Sequence, residues 1–217
     1  MYVLDNIIKL IYLIFKYYLS GTKRYLNLFF LIIKFRPKSI LEIGVYKAIR
    51  SEEMIRTAKI FNNKISFYGF DLFEDMDYYK KINELSKIPL SKRKINDKLK
   101  KYSNNVFLYK GNTKKTLKNF IIKKKKIDFI FIDGGHKIKT IENDWNYCKK
   151  MVKKNSIIIF DDYYTKNKMI IKKYGCNNLI NRIKNKYKVH FLPFTDYFNI
   201  GNQKTGIKMV LIKINNN

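Results

Sequence analysis

The sequence is poor in cysteine, and it contains no long uninterrupted apolar run. Its two cysteines, Cys148 and Cys176, form no CxxC pair among the 217 residues. This argues against a disulfide framework and against a cysteine-rich zinc site, and it favours a reducing, cytoplasmic compartment. Hydrophobic residues nevertheless make up 46% of the chain, which is enough for a folded core rather than a disordered tail.

Acidic residues are also scarce. The chain has 17 Asp and Glu against 46 Lys and Arg, so its formal net charge is +29. Such an excess suits nucleic acid or an anionic membrane. However, only six of the basic residues are arginine, the side chain preferred where phosphates and bases are read specifically. Alanine occurs only at Ala48 and Ala58, while Ile, Lys, Asn, Tyr and Phe abound, a pattern that fits drift of a genome toward AT-rich codons. Both origins of the charge stay open.

Residues 1–36 differ from the rest of the chain and are predicted to form an apolar, basic, helical appendage to a domain at 37–217. Asp5, Lys9 and Lys16 interrupt the apolar residues, so no run reaches the roughly 18–20 residues of a membrane-spanning helix. The segment lacks the basic start and cleavage site of a secretory signal. Two interpretations remain: helices packed on the domain, or a helix lying in a membrane interface with its lysines at the headgroups.

From Pro37 onward, short β-rich runs alternate with longer helical ones. The strand candidates are 39–43, 65–70, 106–109, 127–132, 156–160, 188–192 and 207–214, and the helix candidates are 50–61, 113–123, 137–152 and 176–186. This alternation predicts an α/β fold, a Rossmann-like seven-stranded and mostly parallel sheet with helices on both faces. The turn-rich loop before the last strand predicts that this strand runs antiparallel. The polar stretch 74–104 predicts a helix with an extended connection, or a mobile cap.

Polar residues and glycines follow the predicted parallel strands at the points where they end. They are Glu42-Ile43-Gly44, Asp71, Gly111-Asn112, Asp133 and Asp161-Asp162. Ligands of open parallel sheets bind beyond the carboxyl ends of the strands, so these residues predict one binding crevice.

Two of these strand ends indicate a nucleotide-like ligand. Gly44 lets the backbone turn tightly and approach a ligand, although an ordinary strand-to-helix turn would also use glycine. Asp71, at the end of the second strand, lies where dinucleotide-binding folds hold ribose hydroxyls, and a carboxylate accepts two hydrogen bonds from a diol. The alternative is that Asp71 caps a helix.

The remaining acids predict a metal site. Adjacent parallel strands lie about 4.8 Å apart, so Asp133, Asp161 and Asp162 can converge on one ion. Carboxylates crowded together without a cation would repel each other, and an oxygen-rich site suits Mg²⁺ or a similar divalent cation. The alternative is that Asp162 caps a helix and that Asp133 acts alone.

Five segments together resemble the class I S-adenosylmethionine-dependent methyltransferases: LEIGVYKAIRSEEMI, FYGFDLFEDM, YKGNTKKTL, FIDGGHKIKTIENDWNYC and IIIFDDYY. Within that class they are most similar to the family that includes macrolide-sugar O-methyltransferases, and more distantly to catechol O-methyltransferase. The resemblance covers about residues 37–214. Ala48 departs from it, since a glycine is usual there, and so does Asn112, where an acid is common.

The resemblance implies a role for each matching residue. Glu42, Gly44 and Tyr46 would contact the cofactor, the first two beside its methionine part, and Asn112 would lie near adenine. The resemblance further implies that Asp71 holds the ribose, that Asp133 contacts the cofactor and the metal, that Asp161 and Asp162 bind the metal, and that His136 and Asp133 act in catalysis. His136 would remove the proton of a metal-coordinated hydroxyl as the methyl group moves to oxygen. The alternative for His136 is a helix cap.

The leading prediction is therefore metal-dependent O-methylation of a sugar or other hydroxyl-bearing small molecule or glycan. A methyltransferase of RNA or protein is a second reading, which the positive charge favours. Against it, no N/D-P-P-[YF] tetrapeptide, common in base-amine methylators, ends the fourth strand. A third reading is a non-catalytic protein that binds polyanions or a membrane on the same scaffold.

Overall fold

The computed structural model describes residues 2–200 and 203–214 and contains one sheet. Its strands are β1 (Ser39–Ile43), β2 (Ser66–Asp71), β3 (Val106–Lys110), β4 (Ile127–Ile132), β5 (Val152–Thr165), β6 (Lys188–Ile200) and β7 (Gln203–Lys213). The spatial order is β3-β2-β1-β4-β5-β7-β6. The first five strands are parallel, and β7 runs antiparallel to both β5 and β6. The predicted Rossmann-like sheet with an antiparallel last strand is confirmed.

Helices cover both faces of the sheet. They are α1 (Tyr2–Leu19), α2 (Leu26–Phe35), α3 (Ile49–Lys59), α4 (Tyr78–Asn83), α5 (Lys92–Lys100), α6 (Thr113–Ile122), α7 (Ile138–Cys148), α8 (Lys168–Lys173) and α9 (Asn177–Ile183). Successive strand side chains point to opposite faces, so Phe129 and Phe131 join a core with α1, α2, α3 and α5. Ile130 and Ile132 join a second core with α6, α7 and α9.

Some element boundaries differ from the prediction. The helix expected over 137–152 ends at Cys148, because β5 begins at Val152. The polar stretch 74–104 contains α4 and α5 joined by an extended connection, after a short 3-10 helix at Phe73–Asp75. The last two strands are longer than expected, and the turn residues Gly201 and Asn202 between them lie outside the described part of the chain.

The N-terminal helices pack into the first core, as in the first of the two interpretations of residues 1–36. Leu13 and Tyr17 of α1 are buried there, as are Phe29 and Ile32 of α2. The Tyr17 hydroxyl donates a 2.8 Å hydrogen bond to the Glu53 carboxylate on α3. Within residues 2–200 and 203–214, every helix is too short or too polar to span a bilayer.

Candidate active site

The strand register places the predicted site residues side by side at one edge of the sheet. Ile43 is the partner of Phe70 in β2 and of Ile132 in β4. The residues that follow these partners, Gly44 and Asp133 among them, therefore share the carboxyl edge. β1 lies between β2, the next strand along the chain, and β4, at which the strand order reverses direction. The carboxyl edge of these strands is therefore the topological switch point, where open parallel sheets bind ligands.

A cavity of about 680 Å³ opens at this edge. It is lined by eight of the predicted residues: Glu42, Gly44, Tyr46, Asp71, Asn112, Asp133, His136 and Asp162. The lining also includes Arg24 and Tyr25 from the N-terminal segment and Glu84 from the cap that follows β2. Its volume is in the range typical of small-molecule and cofactor sites.

The turn after β1 brings its backbone very close to β4. Gly44 adopts φ +93°, and a Cβ on it would lie 1.9 Å from the Asp133 carbonyl oxygen. Only glycine fits this close approach. Two residues later, the backbone of Tyr46 is also in the left-handed region, with φ 51°. The Tyr46 N–H donates to Asp71 Oδ2 at 2.8 Å. The β1 turn and the β2 carboxylate are therefore held to each other.

Asp71 and Glu42 supply carboxyl groups to the cavity in different environments. Asp71 Oδ1 also accepts from the Phe73 N–H at 3.3 Å, so this carboxylate holds two turns instead of capping a regular helix. Glu42 is buried and accepts a hydrogen bond from the Ser51 hydroxyl. Burial raises the pKa of Glu42 to about 8, so this group holds its proton at neutral pH.

Asn112 lines the cavity, and its side chain caps α6 by accepting from the Lys114 N–H at 2.9 Å. Close by is Asp144 of α7, which the sequence pattern did not single out. Asp144 is fully buried, and its Oδ2 has no hydrogen-bond partner within the described residues, although it lines the cavity. Burial raises the pKa of Asp144 to about 7. The sequence did offer one indication of Asp144, because an acidic residue directly before Trp145 interrupts a part of the helix that otherwise faces the core.

His136 is held between two acceptors. Its Nδ1 lies 2.7 Å from the Glu84 carbonyl oxygen, and its Nε2 lies 2.8 Å from Asp162 Oδ2. Burial lowers the pKa of His136, but the charge and hydrogen bond of Asp162 raise it, to about 10 overall. Both ring nitrogens therefore donate in this arrangement, and the imidazole is positively charged.

The cap segment is tied to the loop after β4 through Glu84. Besides its carbonyl contact with His136, the Glu84 carboxylate accepts from the Thr140 hydroxyl at 2.8 Å and from the Lys137 N–H at 3.1 Å. Because these bonds join α4 to the start of α7, the cap orients His136 as well as covering the cavity. Sequence spacing carried no sign of this link.

The acids at the ends of β4 and β5 divide into two groups. Asp133, His136 and Asp162 offer ligand atoms that all lie within 4.8 Å of one another. Burial and the nearby charges of Asp161 and Asp162 raise the pKa of Asp133 well above its ordinary value. A cation among these atoms would relieve that repulsion.

Asp161 pairs with an arginine, and it is not part of the group formed by Asp133, His136 and Asp162. Arg24 donates to it from Nε at 2.9 Å and from Nη2 at 3.0 Å, so its carboxylate already faces a cation. A β-bulge between Phe160 and Tyr163, with Asp162 at φ 57°, interrupts the regular alternation of side chains. The two neighbouring acids consequently face different partners. Among the described residues, the side chain that lies near both Asp133 and Asp162 is His136, whereas Asp161 pairs with Arg24.

The crevice at the switch point, the glycine turn after β1 and the carboxylate of Asp71 at the end of β2 are the features of a class I, nucleotide-binding methyltransferase. Residues 41–163 match the family described as "Methyltransferase domain", and the chain belongs to that family as an S-adenosylmethionine-dependent methyltransferase.

Solved structures share this fold at low sequence identity. The O-methyltransferase TomG from Streptomyces achromogenes, in complex with SAM, is 12% identical with a TM-score of 0.60, over 88% of this chain and 79% of that one. An O-methyltransferase from Bacillus cereus in complex with SAH is 15% identical with a TM-score of 0.60, over 96% and 91%. The N-methyltransferase NodS from Bradyrhizobium japonicum WM9 is 10% identical with a TM-score of 0.58, over 88% and 95%. The fold thus hosts methylation of both oxygen and nitrogen.

One curated protein matches over a short stretch. It is the uncharacterized protein R132 of Acanthamoeba polyphaga mimivirus, which is 49% identical over 37 residues. The match spans 17% of this chain and 17% of that protein.

Proposed function

We propose that this enzyme transfers the methyl group of S-adenosylmethionine to a hydroxyl group of a sugar, another small molecule or a glycan, with the help of a divalent cation such as Mg²⁺. The observation that carries the proposal is the group formed by Asp133, His136 and Asp162, whose ligand atoms lie within 4.8 Å of one another in the cavity. It joins oxygen ligands for a hard cation to a side chain that can exchange a proton.

The cavity fits the cofactor at two points. Gly44 has no side chain, so the turn after β1 packs directly against the Asp133 backbone and presents its own backbone to the cavity. The unpartnered Asp144 Oδ2 supplies a buried acceptor for an amine such as that of adenine. In this arrangement Asp71 would hold the ribose hydroxyls, while Glu42 and Tyr46 lie by the methionine part. The bound cofactor supplies an electrophilic methyl group on sulfonium.

The donor set fits a divalent cation as well. Asp133 and Asp162 would hold it, and Asp161 stays with Arg24, which compensates its charge. A bound cation lowers the pKa of a coordinated hydroxyl. A cation held by Asp162 would compete with the bond from the His136 Nε2–H to that carboxylate and favour the neutral imidazole, so Nε2 becomes the atom that takes the hydroxyl proton while Nδ1 stays engaged by the Glu84 carbonyl. Methyl transfer is an in-line displacement, so the remaining contribution of the chain is to position the two reactants.

The test measures methyl transfer and metal binding separately. Tritiated S-adenosylmethionine would be offered with a panel of sugars and vicinal diols, with RNA and with protein, each in the presence and absence of EDTA. Calorimetry with Mn²⁺ would compare wild type, Asp162→Asn and the control Asp97→Asn, an exposed acid on α5.

We expect label in hydroxyl acceptors, loss of transfer with EDTA, and loss of Mn²⁺ binding in Asp162→Asn alone. Label that enters only RNA or protein would refute the acceptor class. Transfer that EDTA leaves unchanged would refute the cation, and failure of the wild type to bind S-adenosylhomocysteine would leave only a non-catalytic role.

A further inference from the structure

We infer that the exposed face of α1 docks this enzyme on the surface of an anionic lipid bilayer. This goes beyond the proposed reaction and is independent of it. Its basis is an apolar strip on α1, bordered by basic side chains, on a chain with a net charge of +29.

The strip is one continuous surface. α1 buries Leu13 and Tyr17 against the domain and turns its other face to solvent. The exposed apolar residues on that face are Val3, Leu4, Ile7, Ile8, Ile11, Tyr12, Phe15, Tyr18 and Leu19. At 3.6 residues per turn these positions cover an arc of about half the helix. Leu4 and Phe15 are each 62% exposed and Leu19 is 80% exposed, so the strip is largely uncovered.

Basic side chains border this strip. Lys9 lies over the Tyr12 ring at 4.8 Å, and Lys23 lies over the Tyr18 ring at 4.4 Å. Arg56 of α3 lines a shallow depression together with Asp5, Ile8, Lys9 and Tyr12, so the two basic side chains there outnumber the single acid. Tyrosine is favoured at the level of lipid headgroups, and lysines beside an apolar face add attraction to anionic lipids.

The basic side chains around the strip favour an anionic bilayer over a second copy of the chain or a nucleic acid as its partner. A second copy of the chain would bring the same lysines together, on two molecules that each carry +29. A nucleic acid would neutralise the lysines but leave the apolar side chains in water. An anionic bilayer accepts the apolar side chains in its acyl layer and the lysines at its headgroups.

Docking in this way leaves the catalytic cavity available. The strip is on the outer face of α1, whereas Arg24 and Tyr25, which line the cavity, follow the end of that helix. Substitutions on the strip are therefore expected to leave the binding of S-adenosylhomocysteine unchanged. That binding reports whether each variant is folded.

The experiment is co-sedimentation of the full chain with vesicles of phosphatidylcholine and phosphatidylserine in equal parts, and with vesicles of phosphatidylcholine alone. One variant, Ile11→Asp/Phe15→Asp, changes the strip. Its matched control, Ile122→Asp/Met169→Asp, puts the same charges on apolar residues that are exposed elsewhere, at 73% and 81%. A second variant, Lys9→Gln/Lys23→Gln, is matched by Lys118→Gln/Lys172→Gln on exposed lysines of α6 and α8.

We expect the wild type to bind the anionic vesicles, and each α1 variant to bind them at least about tenfold more weakly than its matched control. Equal loss in variant and control would show that only net charge matters and would overturn the assignment to α1. No vesicle binding by the wild type would also overturn it. A dimer in light scattering that Ile11→Asp/Phe15→Asp dissociates would assign the strip to a second copy instead.

Discussion

The Arg24 guanidinium donates to the Asp161 carboxylate at 2.9 Å across 137 positions of the chain. It also pairs with Asp196 of β6, whose Oδ1 accepts from the Arg24 backbone N–H at 2.9 Å. The segment after α1 thereby joins two strands beside the cavity. Because Asp161 is only 2% exposed, it depends on this arginine for compensation of its charge.

Replacement of Arg24 should therefore destabilise the fold. We expect Arg24→Met to lower the free energy of unfolding by about 3–5 kcal/mol, because it leaves a buried carboxylate without a partner. Urea unfolding followed by circular dichroism measures this. Arg93→Met, on an exposed part of α5, is the control. Equal unfolding midpoints for the two variants would mean that Asp161 is compensated by another group.

Asp71 should contribute to cofactor affinity through the ribose. We expect Asp71→Asn to raise the dissociation constant of S-adenosylhomocysteine about tenfold or more, because an amide oxygen accepts a diol less strongly than a carboxylate does. Isothermal titration calorimetry measures it. Asp75→Asn is the control, since Asp75 pairs with Lys110 at the surface. The ribose assignment fails if both variants bind as the wild type does.

Replacement of Asp144 should leave the stability of the unliganded protein unchanged or raise it, and should lower the affinity for the cofactor. Asp144→Asn removes a buried carboxylate with an unpartnered oxygen, so the unliganded protein should be as stable as the wild type or more so. The affinity for S-adenosylhomocysteine should instead fall about tenfold, because an acceptor for the cofactor's amine is weakened. Calorimetry and urea unfolding report the two effects, with Glu142→Gln on the same helix as the control. Loss of stability together with unchanged affinity would assign Asp144 a purely structural role.

Glu42 makes stability depend on pH in a defined direction. Its pKa is raised to about 8 in the folded state, chiefly by burial and against the hydrogen bond from Ser51, from an ordinary value of 4.5. Between these two values the folded protein binds more protons than the unfolded chain, so the contribution of Glu42 makes stability fall as the pH rises. Glu42→Gln should flatten this slope, measured by urea unfolding at several pH values in the window. A slope identical to that of the wild type and of Asp97→Asn would contradict the raised pKa.

His136 should affect rate rather than cofactor binding. We expect His136→Gln to bind S-adenosylhomocysteine normally and to lower the methyl-transfer rate by a factor of about 10²–10⁴, the usual contribution of a general base. His190→Gln is the control, because His190 lies in β6 away from the cavity lining. Comparable rates for the two variants would remove His136 from the mechanism.

The alternation of strands and helices was readable from the sequence because each element carries its own periodicity. β1 and β4 begin and end where the pattern predicted, at Ser39–Ile43 and Ile127–Ile132. Residues that directly follow parallel strands lie at the same edge of the sheet, so the sequence alone predicted that Gly44, Asp71 and Asp133 lie together. That inference needs only strand direction and order along the chain.

Three contacts around the cavity depended on the tertiary structure. Arg24 reaches Asp161, Glu84 holds His136, and Asp144 turns an unpartnered oxygen toward the cavity. Each follows from how the N-terminal segment, the cap or α7 packs against the sheet, and no local pattern of apolar and polar residues encodes such packing. For the same reason the sequence placed Asp161 and Asp162 together, while the bulge in β5 decided that one faces an arginine and the other a histidine.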